Sequence, residues 1–140
     1  MGFEEISHTA DWSVRVWAED LPSLFAESAR AMNALAGVET ATSLVLNHAE
    51  GPRVKRVFES NGPDAESLLV AFLSELVYCQ EQENLAFDKF DIQINAEKIS
   101  ASMEGAAITS VDKAIKAVTY HNLRIERTSR GLEVTLVFDV

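Results

Sequence analysis

Residues 7–12 read Ser-His-Thr-Ala-Asp-Trp, which places His8 and Asp11 close together between two short apolar runs. An aspartate in such a turn bonds its own local backbone, or it offers a carboxylate to a cation. A histidine in His8's place is more often structural than a base. A second group stands in "KAVTYH" (116–121), where Lys116 opens an apolar stretch that ends in Tyr120 and His121. Lys116 is either solvated or a working cation, and Tyr120 and His121 are either cross-strand packing residues or polar partners. The third group closes the sequence: Asp139 and the α-carboxylate of Val140 put two anionic groups one residue apart. Oxygen donors of this kind suit a hard divalent cation such as calcium or magnesium, particularly if Asp11 approaches from its turn. The alternative is a frayed terminus, although "LVFDV" is apolar almost to its last residue.

Other chemistries lack their residues. No phosphate-cradling glycine loop is present, and neither Gly-x-Ser-x-Gly nor His-Glu-x-x-His occurs. The single cysteine, Cys79, forms no internal disulfide, and no Cys/His spacing for zinc accompanies it, so it reads as an inert helix residue. The longest apolar run, Leu68–Leu73, falls far short of the roughly 20 residues of a membrane span. The start, "MGFEEIS", has no basic or apolar region of a secretory signal, and Ile6 stands where a myristoylation motif needs Ser or Thr. A cytoplasmic protein is expected.

The net charge of −10 is unevenly spread. Between Glu59 and Glu104 ten acids face only Lys89 and Lys98, whereas Lys113, Lys116, Arg124, Arg127 and Arg130 turn the last segment basic. Such a surface repels a phosphate backbone, so strong direct nucleic-acid binding is not expected. It suits docking on a basic protein partner.

The elements that must position these groups are legible from periodicity. Phe3–Ser7 and Ser13–Ala18 alternate as strands. Leu21, Leu24, Phe25, Ser28, Ala29, Met32, Leu35 and Ala36 recur at helical spacing, with Asp20 as N-cap, Pro22 in the first turn and Gly37 as the stop. "SLVLN" (43–47) and "RVKRVFE" (53–59) follow as strands. Asp64 caps a second helix carrying Ala65, Leu68, Leu69, Phe72, Leu76 and Val77 on one stripe. "KFDIQIN" (89–95) and "ISASM" (99–103) form a hairpin, and "KAVTYHNLRIE" (116–126) and "LEVTLVFDV" (132–140) a terminal one around "RTSRG". Strands clustered rather than alternating with helices predict an α+β class: one mostly antiparallel or mixed sheet, both helices on one face, and a single compact domain over 1–140.

"HTAD" near the start, "KAVTYH" before a final hairpin, and a sequence closing on "FDV" together resemble the archease family, and the likeness spans nearly the whole chain. The resemblance implies an accessory protein, not an enzyme: an activator of the RtcB-type RNA ligase of transfer-RNA splicing, promoting guanylylation of that ligase and multiple turnover. It implies a divalent-metal site made by Asp11, Asp139 and Val140, filled by calcium or else magnesium or manganese. It implies Lys116 as the basic residue essential for activation. His8 and His121 are, apart from the resemblance, candidates for supporting roles behind the ligands. Trp12 departs from the family pattern, where a small aliphatic residue is expected after "HTAD". The stretch "EGAAITSVDKAI" lacks the family's histidine-bearing segment. Two readings from other classes stand beside this one: a small metal-dependent hydrolase using the same carboxylates, and a general chaperone or adaptor using the acidic face.

Overall fold

The computed structural model describes residues 1–6, 12–41, 53–120 and 122–140. The expected strand "SLVLN" and the residues His8, Asp11 and His121 lie outside them.

Chain order among the described residues is β1 (Gly2–Ile6), β2 (Trp12–Ala18), α1 (Leu21–Ala36), β3 (Glu39–Thr40), β4 (Val54–Asn61), α2 (Ala65–Glu83), β5 (Leu85–Asn95), β6 (Lys98–Ser110), β7 (Ala117–Val118), β8 (Glu126–Thr128) and β9 (Gly131–Asp139). Both helices start and stop where local chemistry dictates. The Asp20 carboxylate accepts from the Ser23 N–H at 2.9 Å, and Asp64 does the same for Ser67 at 2.7 Å. At the far end of α1, Gly37 takes φ +68°, and Val38 N–H reaches back to the Asn33 carbonyl at 3.0 Å. This reversal is one that L side chains adopt only with strain. Asn84 closes α2 in the same left-handed region, at φ +56°.

The Asp20 cap carries a pH signature. Hydrogen bonds from Ser23, first its backbone and then its side chain, hold the Asp20 carboxyl below the usual carboxylate range. Its contribution is therefore complete above the unfolded value of about 3.9 and is lost as pH falls through the lower folded value. Asp20→Ala is expected to cost roughly 1 kcal/mol at neutral pH. In paired urea titrations the gap between wild type and variant closes below about pH 4.

The strands fall into two antiparallel sheets where periodicity alone pointed to one. The first has the order β1-β2-β9-β7, with β8 also paired to β9; in the second, β6 pairs with β3, β4 and β5. The α+β class stands. Alternation decides which face of a strand is buried, not which sheet the strand joins. Each helix touches both sheets: α1 packs on β2 and β5, and α2 on β4, β5 and β7. Val16, Leu136 and Phe138 from one sheet and Ile99, Ala101 and Met103 from the other enter one core. Phe72 of α2 stands at its centre, with the rings of Phe25, Phe58 and Phe90 at 6.0, 6.4 and 5.9 Å.

Two strands run past their expected starts or ends. β5 begins at Leu85 and β6 continues to Ser110, with Asp88 of β5 a bulge residue, skipped between the pairs Phe87↔Gly105 and Lys89↔Glu104. The extra residue breaks the period-2 pattern that would have marked one long strand. Arg53 braces the bulge, bonding Asp88 with two nitrogens and Glu104 with a third. A Cβ at Gly105 would land on the Ala86 carbonyl oxygen, so glycine is required where the strands close over the bulge.

Candidate functional site

The last residues of β9 are the meeting point. Phe138 is fully buried and lies between two neighbours, Trp12 of β2 on one side and Val118 of β7 on the other. Strand alternation then turns Asp139 outward. Asp139 is exposed, while Val140 packs partly against the core. Lys116 N–H donates to the Asp139 carbonyl at 2.8 Å, and Thr119 N–H to that of Val137 at 3.0 Å. The segments "KAVTYH" and "FDV" are thus joined by backbone hydrogen bonds. Trp12, the sequence neighbour of Asp11, pairs with Phe138, the sequence neighbour of Asp139.

Lys116 and Asp139 are both exposed, and neither side chain makes an ion pair among the described residues. An unclaimed carboxylate beside the main-chain oxygens of Val140 is a donor set of the hard-cation type. It supplies only part of a coordination shell: among the described residues no three His, Cys, Asp or Glu side chains converge. Asp11, His8 and His121, the other residues expected here, lie outside the described residues.

The stretch from Lys116 to Glu126 is not one strand. Only Ala117 and Val118 pair before the chain turns, with Leu123 N–H donating to the Tyr120 carbonyl at 3.1 Å and Asn122 at φ +50°. Tyr120 therefore does not share the inward side of Val118; it is 63% exposed, against 8% for Val118. The turn carries the polar pair His121-Asn122, a local sign of a break, but the apolar residues on either side, Val118, Leu123 and Ile125, read together as one strand.

The approach to Lys116 holds a residue that sequence reasoning missed. Asp112 and Lys113 both donate their N–H groups to the Ala36 carbonyl at the end of α1, at 2.9 and 3.1 Å. Asp112 lies so close over Gly37 that a Cβ there would strike its carboxylate. Ile115 is buried, and the Lys113 ammonium sits 5.4 Å from the centroid of the Trp12 ring. The signal for this contact was Trp12 itself, out of pattern after "HTAD".

Other reactive-looking groups lie away from this point. Burial, with Glu75 and Glu83 adding to it, pushes the Cys79 thiol up to about 11, so it stays protonated and unreactive at neutral pH. An open cleft of about 590 Å³ lined by Leu21, Pro22, Ile94, Ile125 and Leu132 sits between the helix N-termini, toward the opposite end of β9 from Asp139. No helix among the described residues is long and apolar enough to cross a membrane.

The comparisons with known proteins agree with this architecture. The model of the "Archease protein family (MTH1598/TM1083)" matches residues 3–140. "Protein archease" of Saccharolobus islandicus is 34% identical over 146 residues, covering 99% of this chain and 98% of its own. The protein of the same name from Methanosarcina mazei is 31% identical, covering 99% and 95%. Among solved structures, protein 1598 of Methanobacterium thermoautotrophicum superposes with a TM-score of 0.69 at 25% identity, over 99% of both chains. A Thermotoga maritima protein described as an archease and possible chaperone gives 0.66 at 19% identity, over 98% and 96%, which bears on the fold alone.

Proposed function

This chain belongs to the archease family, and we propose that it serves as an accessory protein of an RtcB-type RNA ligase, promoting guanylylation of the ligase and its multiple turnover, with no catalysis of its own. The observation that carries this reading is the backbone union of "KAVTYH" with "FDV", in which the Lys116 N–H bonds the Asp139 carbonyl. It sets at the same strand end an ammonium and a carboxylate that make no ion pair among the described residues.

In this proposal Asp139 and Val140, with Asp11, hold one divalent cation through oxygen alone, a donor set suited to calcium, magnesium or manganese. A bound cation would supply positive charge beside anionic phosphate oxygens in the ligase pocket. Lys116 meets a phosphate as a compact point charge, and its exposed ammonium carries three donors with which to do so. His8 and His121 orient the ligands from behind. The acidic stretch of α2 and β5 favours docking on a protein surface built to hold RNA, and disfavours strong binding to RNA itself.

The test is guanylylation of the cognate ligase by GTP, and multiple-turnover joining of RNA, with and without this protein. The expected result is stimulation of both at substoichiometric amounts of the chain. Absence of stimulation, combined with suppressed aggregation of unrelated clients, would replace this reading with the chaperone one.

A further inference from the structure

We infer that Lys113 is a positioning residue for Lys116, holding the short segment before β7 against Trp12 so that the lysine keeps its place beside Asp139. This rests on the reading of Lys116 given above. The segment 112–116 is fastened at both ends and in its middle. Its start donates two N–H groups to the Ala36 carbonyl, its end donates the Lys116 N–H to Asp139, and Ile115 is buried between them. Those ties bind it to α1, the core and β9. The Lys113 ammonium over the Trp12 ring adds β2, reaching the residue that pairs with Phe138.

A cation over an indole face is attracted by the negative charge of the ring, and Trp is the best of the aromatic partners. Lys113 forms no ion pair among the described residues. Its net effect is to join two segments far apart in sequence at the residues flanking the site.

Lys113→Met keeps an unbranched side chain, one heavy atom shorter, and removes the charge, and Lys113→Arg keeps a cation that stacks on indole. The Ala36 hydrogen bonds and Ile115 remain in both, so both fold. In amide hydrogen exchange of the full chain, the Lys116 N–H in the Met variant is expected to exchange about two- to fivefold faster, the range given by an exposed cation–π contact. Amides of the β2–β9 ladder stay unchanged, and Arg restores the wild-type rate. In guanylylation assays the Met variant lowers the maximal stimulation by a similar factor, and the concentration of chain giving half-maximal stimulation is unaltered. An unchanged Lys116 amide in the Met variant, failure of Arg to restore it, or full stimulation by the Met variant would each overturn the inference. If the wild type stimulates no ligase while the exchange pattern holds, the ligase reading falls and the positioning of Lys116 by Lys113 stands.

Discussion

Asp139→Asn is expected to abolish stimulation of ligase guanylylation while leaving the folded protein as stable as the wild type. The substitution preserves size and removes one negative charge from the proposed oxygen set. Partners standing behind metal ligands are already worth about 10–100-fold in affinity or activity. A direct ligand is expected to exceed about a hundredfold in calcium affinity and in stimulation. Stability should change by less than about 0.5 kcal/mol, because the side chain is exposed and bonds no described residue. Calcium titration followed by calorimetry, beside the guanylylation assay, separates the two effects. Asp11→Ala is expected to behave alike. Lys116→Ala is expected to lose stimulation and keep cation binding, since a lysine binds no cation. Full stimulation by Asp139→Asn would remove Asp139 from the mechanism.

Phe72→Ala is expected to cost about 3–5 kcal/mol, the usual consequence of emptying a fully buried aromatic site. Phe72 has no solvent exposure, and its ring meets Phe25 of α1, Phe58 of β4 and Phe90 of β5. One deletion therefore loosens both helices and the second sheet together. For a domain whose total stability is about 5–15 kcal/mol, the variant approaches the margin at physiological temperature. Urea unfolding read at the midpoint would show it, and a loss below about 1 kcal/mol would mean that the neighbouring rings collapse into the space.

The helices were legible because their signals are local. Asp20 and Asp64 each bond an N–H three residues on, and Gly37 needs only its own backbone freedom. The long strands were legible in part. β9 and β2 alternate cleanly, whereas Asp88 interrupts the alternation in β5 and hid its first residues. "KAVTYHNLRIE" misled for another reason: its apolar residues Val118, Leu123 and Ile125 run on past the polar pair His121-Asn122, and the turn shows only in the Leu123 N–H bond to the Tyr120 carbonyl and the positive φ of Asn122.

By itself, then, the sequence determined the α+β class, both helix caps, the family, and the residue types able to hold a cation or meet a phosphate. Each of these depends on neighbours a few positions apart, or on motifs read in order. Only the tertiary structure decided that the strands divide into two sheets, that Lys116 bonds the Asp139 backbone, and that Lys113 lies on Trp12. Strand pairing and a cation–π contact are non-local. The backbone groups and the indole face that make them are present in many candidate partners along the chain, and the packing of one shared core selects among them.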